Sequence, residues 1–249
     1  TLQLLFDVSR LGVFSEASVY PVISVFSRGR FGDTGHILIE RAQFGTSPMR
    51  LRHSGDELAR LPDNIWGFLL SDGTSVVRHI CEQSDQLKDV ADVVASSTAA
   101  EADRYSNVLR EEAEFFNESG MRVINTGLID RYHSLWGSTS LTHQGRQLEK
   151  PFLLFTRDVV PERRQAQYKS SKLIFAKVAL QIEAVCDFDG IYASMNTNFA
   201  IAPKDSLGYL CAVCNSMLIT WVYEEYFGTL SMSGGYMQFQ APQLSVLPI

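Results

Sequence analysis

The stretch SKLIFAKVALQIEAVCDFDGIYASMNTNFAIAP, residues Ser171–Pro203, decides the fold of this chain. Short apolar runs alternate in it with polar breaks, which is typical of several short β-strands. The break DFDG, residues Asp187–Gly190, predicts a tight hairpin turn because Asp and Gly both favour turns. A second break, Asn196–Asn198, either shapes the entry into the next strand or lies on a rim that reads a ligand.

The segment after this stretch predicts one long C-terminal helix. SLGYLCAVCNSMLITWVYEEYF is almost wholly apolar, with Ser206 as a candidate N-cap and Gly228 as a candidate end. Cys211 and Cys214 within it have the C-x-x-C spacing of redox and zinc sites. No second C-x-x-C or paired His follows, so we predict two buried core cysteines in a reducing cytoplasm.

The rest of the chain predicts a mixture of strands and helices. Before residue 46, LQLLFDV, SVYPVISVFSRG and HILIERA read as strands, whereas SPMRLRHSGDEL reads as a loop and TSVVRHICEQS as a short helix. Residues 86–120 predict two helices, the second ending at Gly120. MRVINTG and PFLLFTRDV then read as strands, with loops between them. The fold class is therefore α/β, in a mixed α+β arrangement with twisted strands.

Composition and missing motifs exclude several functions. The net charge of −6 argues against a free-standing, non-specific nucleic-acid binder. No apolar run is long enough to span a membrane and no signal peptide is visible, so we expect a cytoplasmic protein without membrane contact. No phosphate-binding glycine loop, zinc motif or nucleophile elbow occurs. The acid pairs Asp187/Asp189 and Glu224/Glu225 are read as a turn and a solvated helix end.

The order of the segments resembles one protein family. VFSEASVYPVISVFSRG (Val13–Gly29) resembles the closing strands of the catalytic domain in adenine-N6 DNA methyltransferases of restriction–modification enzymes. LKDVADVVASST (Leu87–Thr98) and RVINTGLIDRYHSLWG (Arg122–Gly137) are similar to segments of target-recognition domains, including those of Type I specificity subunits. The opening stretch, LGYLCAVCNSMLITWVY and the closing LSMSGGYMQFQAPQLSVLPI resemble the remainder in the same order. The nearest family is the Taq-type C-terminal specificity domain.

This resemblance implies a division of the chain and a set of partners. Residues 1–45 would be the terminal strands of a methyltransferase domain, 46–85 a connecting segment, and 86–249 the target-recognition domain. The family's cofactor glycine motif and N-P-P-Y motif are absent, which implies a non-catalytic C-terminal piece with no cofactor of its own. S-adenosylmethionine would belong to the parent enzyme, with or without a nuclease. The implied partners are double-stranded DNA and the upstream catalytic domain of the same protein.

Sequence-specific recognition needs phosphate contacts that fix register and side chains that read base edges. The candidate phosphate contacts are Arg28, Arg30, Arg50, Arg52, Lys169, Lys172 and Lys177. The candidate base or sugar contacts are Asn125, Thr126, Arg131, Tyr132, His133 and Trp136, with Asn196 and Asn198. A further candidate is the turn that contains Ser233, Gly234 and Tyr236, whose N–H groups could hold a phosphate.

Each group of candidates also has a purely structural interpretation without ligand contact. The cations are solvated surface charges, the Trp/Tyr segment is a packed corner, and the Gly-Gly turn is an ordinary hairpin. The corresponding alternative function is a protein-interaction or scaffolding α/β domain without a nucleic-acid role, which the acidic charge favours. An enzyme would instead require a deep pocket with perturbed acids, for example around Asp187 and Asp189.

Overall fold

The computed structural model describes residues 2–8, 11, 13–14, 21–28, 36–42, 47–54, 73–114, 119–156, 158–228 and 231–249. These residues form a mixed α/β fold, as the sequence predicts. The chain divides into two compact units. Unit 1 comprises Thr1–Ser84 and Trp221–Tyr236, and unit 2 comprises Asp85–Thr220 and Met237–Ile249.

Unit 1 is built on a four-stranded sheet. Its strands are β1 (Leu2–Asp7), β2 (Val22–Phe26), β3 (His36–Arg41) and β4 (Met49–Ser54). They lie in the order β2-β1-β3-β4, and only β1 and β3 run parallel. Helix α1 (Thr74–Glu82) is the short helix predicted from TSVVRHICEQS. The unit's core consists of Leu2, Leu5, Ile37, Ile39, Val77, Val222 and Tyr226.

The predicted loop SPMRLRHSGDEL, residues 47–58, is wrong over residues 49–54, and residues 55–58 lie outside the described residues. Residues 49–54 form strand β4, which pairs along its full length with β3. An edge strand can carry polar side chains because one side of it faces solvent, and here Arg50 forms an ion pair with Glu40 at 2.7 Å. Backbone pairing with β3 therefore outweighs the polar composition of the segment.

Unit 2 contains most of the strands. They are β5 (Asp92–Ala95), β6 (Leu109–Glu111), β7 (Gly120–Asn125), β8 (Ile129–Asp130), β9 (His133–Ser134), β10 (Leu141–His143), β11 (Arg146–Leu148), β12 (Pro151–Leu154), β13 (Lys172–Ala176), β14 (Val178–Ala179), β15 (Ala184–Asp187), β16 (Tyr192–Met195), β17 (Thr197–Ile201) and β18 (Met237–Gln238). Two four-stranded sheets, β16-β7-β12-β6 and β15-β13-β17-β5, form its framework. The remaining strands form the two-stranded pairs β8-β9, β10-β11 and β14-β18.

The helices of unit 2 are short. They are α2 (Leu87–Val90), α3 (Ala99–Tyr105), α4 (Glu162–Lys169), α5 (Lys204–Cys214), the first residues of α6 (Met217–Phe227), and α7 (Ala241–Ser245). The two helices predicted over residues 86–120 are only partly correct, because β5 and β6 interrupt them. Gly120 begins β7, which pairs with β12, instead of ending a helix. Only glycine fits there, because a Cβ would lie 2.3 Å from the Leu153 carbonyl oxygen.

The predicted hairpin at DFDG is wrong. β15 pairs with β13, whereas β16 pairs in parallel with β7, so the turn carries the chain from one sheet to the other. Gly190 makes this crossing possible. Its φ is +62°, and a Cβ there would lie 2.1 Å from the Lys169 carbonyl oxygen. The sequence signals the turn correctly but not the partners of the strands on either side.

The single long C-terminal helix is also wrong, because Asn215 and Ser216 separate α5 from α6. Pro203, not Ser206, is the N-cap of α5. The prediction that Cys211 and Cys214 are buried is confirmed, and both are free thiols.

Among the described residues, no single helix is long and apolar enough to cross a membrane. The two helices α5 and α6 meet that test only as a pair, by length and composition, and they are bent by 68° at the break.

Candidate nucleic-acid interface

Several of the predicted contact residues converge at one end of the two large sheets of unit 2. The parallel strands β7 and β16 end side by side, with Asn125 in register with Met195. In α/β sheets, ligands bind outside the carboxyl ends of parallel strands, where loops leave a rigid scaffold. We call this surface the strand-end face, and define it by Asn125, Thr126, Arg131, Tyr132, Lys177 and Asn196.

Thr126 ties three loops of this face together. Its hydroxyl donates to the carbonyl oxygen of Asn196 at 2.6 Å and accepts from the backbone N–H of Lys177 at 2.9 Å. The same side chain therefore fixes the loop after β7, the loop after β13 and the β16–β17 turn. Thr126 positions the face, so its hydroxyl is already occupied by the protein.

The three residues of the Asn-Thr-Asn break have different surroundings. Asn196 is exposed and has a φ of +55°, a left-handed conformation that Asn tolerates better than most residues. The hydroxyl of Thr197 is buried against that of Ser194 at 2.5 Å. Asn198 is 1% exposed, and its Nδ2 donates to the Phe239 carbonyl at 2.6 Å. Only Asn196 is placed to touch a ligand, whereas Asn198 joins β17 to the C-terminal segment.

A matched pair of variants separates these two roles. We expect Asn196→Gly to leave the free energy of unfolding nearly unchanged, because glycine accepts the positive φ. We expect Asn198→Ala to lower it by about 1–3 kcal/mol, because the Phe239 carbonyl loses its buried donor. Urea denaturation of both variants measures the difference. Equal losses of stability in the two variants would contradict this division.

Tyr132 is displayed at the same end of the sheets. Its side chain is 53% exposed. Its φ is +66°, a left-handed backbone conformation that destabilises the fold by about 1–3 kcal/mol for a residue such as tyrosine. Its N–H donates to the Ala184 carbonyl at 2.9 Å. The Arg131 guanidinium lies 5.5 Å from the Tyr132 ring centroid and donates to the Asn215 carbonyl at 2.6 Å. A strained backbone that exposes an anchored aromatic side chain is typical of a binding site.

Two buried polar atoms of the face have no hydrogen-bond partner among the described residues. They are the Oδ1 of Asn125 and the Nε of Arg131. A buried polar atom without a partner costs about 1–3 kcal/mol, so such atoms are few in native proteins and are often functional. Both belong to residues that the sequence assigned to ligand contact.

One carboxyl group beside the face, that of Glu183, has a shifted pKa. Burial raises the pKa of the Glu183 carboxyl, and the negative charge of Asp130 raises it further, against the opposing effect of Arg131.

Lys172 does not lie on any surface, so its predicted phosphate contact is corrected. Its ammonium is fully buried, where it donates to Asp187 Oδ2 at 2.5 Å and to the Ser170 carbonyl at 3.2 Å. Burial lowers the pKa of Lys172, while the Asp187 carboxylate opposes that shift. Lys172 is a structural cation that holds the start of the DFDG turn.

The other candidates are not among the residues that define the strand-end face. Lys169 is exposed at the opposite end of the strands, and the Trp136 indole donates to the Pro151 carbonyl at 3.0 Å beneath the Arg122 guanidinium. His133 is exposed on β9. The residues that fall in unit 1 are Arg28, Arg50, Arg52, Ser233, Gly234 and Tyr236. Arg30 lies outside the described residues.

Within unit 1, the Gly-Gly turn is a short 3₁₀ segment, Ser233–Gly235. Gly234 has a φ of +81°, and Tyr236 is 46% exposed. The N–H of Met232 donates to the Tyr236 carbonyl at 2.6 Å, which closes the turn within the protein.

The sequence did not indicate the role of Asn215, which holds the strand-end face through hydrogen bonds in the interior. Its side chain is fully buried and bonds both backbone groups of Ala184 at 2.9 Å, while its own carbonyl anchors Arg131. The only signal was an Asn inside an apolar helical run. Among the described residues, no group of three His, Cys, Asp or Glu side chains could hold a metal ion.

The scaffold is a rigid α/β framework, and its loops present amide, aromatic and cationic side chains. These features define the class of macromolecular recognition modules. Residues 103–249, more than half of the chain, match the family model of the TaqI-like C-terminal specificity domain, and the chain belongs to this family. It is therefore a DNA-recognition module of the restriction–modification type. No curated protein matches the chain significantly.

Proposed function

We propose that this chain is the sequence-reading module of an adenine-N6 DNA methyltransferase of a type II restriction–modification system, and that the strand-end face contacts duplex DNA. The observation that carries this proposal is the convergence of six residues from four loops on one rigid edge. Asn amides pair with adenine, lysine grips phosphate, and an exposed tyrosine packs on sugar or base. These are the side-chain types that sequence reading requires.

We assign the remaining functions to the parent enzyme. S-adenosylmethionine binding and methyl transfer belong to an upstream catalytic domain, and we place the whole enzyme in the cytoplasm. Strand β2 is an argument for a partner domain, because all five of its residues are exposed, including Ile23 (51%) and Phe26 (58%). An exposed apolar edge strand normally pairs with, or packs against, another element. We propose that the catalytic domain covers it.

The same strand also favours the rival function, a protein-interaction domain without a nucleic-acid role. Selection from random duplex DNA distinguishes the two functions. A selection from random duplex DNA by this chain yields an enriched sequence if the module reads DNA. A scaffold yields no enrichment, and its retained duplexes show the same affinity as the starting library.

Two lysine variants test the position of the interface. We expect Lys177→Ala to weaken binding of the selected duplex uniformly and to reduce the slope of log K against log salt by about 1, as loss of one phosphate contact does. Lys169→Ala removes the same charge at the opposite end of the strands and should leave the slope unchanged. Titrations of labelled duplex at several salt concentrations measure both.

The outcome that contradicts this interface is a slope that falls for Lys169→Ala but not for Lys177→Ala. Asn196→Gly adds the specificity test. Loss of its amide should reduce discrimination between the selected duplex and a single-base variant of it by about 1–3 kcal/mol, with little change in non-specific binding.

A further inference from the structure

Three of the four cysteines meet where strand β15 contacts helix α5, outside the strand-end face. Cys186 lies on β15, and Cys211 and Cys214 lie on α5. The sulfur of Cys186 lies 3.5 Å from the Leu207 carbonyl, one helical turn before Cys211. The sulfur of Cys211 lies 3.6 Å from the Ala184 carbonyl, on the strand of Cys186. Each sulfur therefore lies within 3.6 Å of the backbone of the element that carries the other cysteine.

The surroundings make the two members of this pair different. The neighbouring Cys186 side chain lowers the pKa of Cys211, and a hydrogen bond from Asn215 Nδ2 at 3.3 Å adds to that effect against burial. The pKa of Cys186 is raised, first by the neighbouring Cys211 side chain and then by burial. A thiol that is stabilised as thiolate is the nucleophile, and a neighbouring thiol resolves the product.

The three cysteines differ in their exposure to solvent. Cys186 is half-buried, so the pair reaches solvent from its side, whereas Cys211 is 5% exposed. Cys214 is fully buried, and burial raises its pKa. Its thiol therefore stays protonated and unreactive next to the pair.

We propose that Cys186 and Cys211 are a redox-responsive pair that a hydroperoxide converts into an intramolecular disulfide joining β15 to α5. The Cys211 thiolate attacks one peroxide oxygen, so an S–O bond forms, the O–O bond breaks, and the departing alkoxide or hydroxide takes a proton from solvent. The Cys186 sulfur then attacks the sulfenic sulfur and expels hydroxide, which takes the Cys186 proton. Two thiols and one hydroperoxide give one disulfide, one alcohol or water, and one water.

The disulfide would act as a staple. It closes the chain between β15, a strand at the edge of its sheet, and the helix whose end, Asn215, anchors Arg131. This inference goes beyond DNA recognition and does not depend on it, because its readout is the chemistry of the two thiols.

The test is oxidation of the intact chain with hydrogen peroxide, followed by alkylation and peptide mapping. We expect a peptide that links Cys186 to Cys211, restoration of both thiols by dithiothreitol, and alkylation of Cys214 only after unfolding. The variant Cys214→Ser should still form the link. In Cys186→Ser, oxidation should stop at a sulfenic acid on Cys211 that dimedone traps.

The proposal is overturned if Cys211 oxidises without forming the linked peptide, or if Cys81 or Cys214 is oxidised first. The wild-type peptide map decides the matter by itself if a serine variant does not fold. Cys81 serves as the internal comparison, because it is a half-buried thiol of unit 1 whose sulfur lies 2.9 Å from the Tyr226 hydroxyl.

Discussion

Replacing Lys172 with Met should lower the free energy of unfolding by about 3–5 kcal/mol, the cost of breaking a buried ion pair from one side. The variant keeps the length and apolar stem of the lysine but leaves the Asp187 carboxylate without its cation. That carboxylate is 2% exposed and also accepts the N–H groups of Ile191 and Tyr192 at 2.9 and 3.0 Å. Loss of the cation therefore loosens the turn that carries the chain between the two sheets.

The same turn offers a matched control. Lys204 pairs with Asp189 at 2.6 Å, but both side chains are more than half exposed. An exposed pair contributes about 0.2–1 kcal/mol, so Lys204→Met should hardly change stability. Urea unfolding followed by circular dichroism measures both variants. If Lys172→Met costs no more than Lys204→Met, the buried pair does not hold the turn.

Replacing Asn215 with Ala should lower the free energy of unfolding by about 2–4 kcal/mol. The change removes an acceptor from the Ala184 N–H and a donor from the Ala184 and Cys211 carbonyls, all in the interior. Each buried group left without a partner costs about 1–3 kcal/mol, and part of this overlaps because the groups are neighbours. Thermal and urea denaturation provide the measurement.

The substitution Asn215→Ala should also weaken the function of the strand-end face. The Asn215 carbonyl anchors Arg131, and the Ala184 carbonyl that its side chain bonds also holds the N–H of Tyr132. We therefore expect weaker DNA binding under conditions where the variant is still folded. Ser216→Ala is the control, because Ser216 follows directly but only caps the start of α6, through a bond from Ile219 N–H at 3.2 Å. Unchanged DNA binding by folded Asn215→Ala would show that the anchor is dispensable.

Local patterns predicted much of the secondary structure. The short apolar runs of Ser171–Pro203 form strands, TSVVRHICEQS forms a helix, and Cys211 and Cys214 are buried. These features depend on side-chain periodicity and turn chemistry within a few residues, which the sequence displays directly. The order of segments also led to the specificity-domain family that the family model supports.

The candidate site was predicted less completely, for a different reason. Asn196 and Asn198 are the same residue type two positions apart, yet one is exposed and the other is buried against Phe239. Lys169 and Lys172 differ in the same way, because among the described residues only the second has a buried acidic partner. Their roles depend on residues that are distant along the chain, and neither spacing nor composition indicates those partners.

The sequence by itself determined the α/β class, the short strands, the buried cysteines and the resemblance to specificity domains, because short-range patterns encode them. Only the tertiary structure decided that DFDG crosses between two sheets, that Asn215 breaks the C-terminal helix, and that Lys172 is a buried cation. It also decided which predicted contacts share one face. Strand pairing and buried polar partners are long-range choices, and their free energies arise only when distant segments pack together.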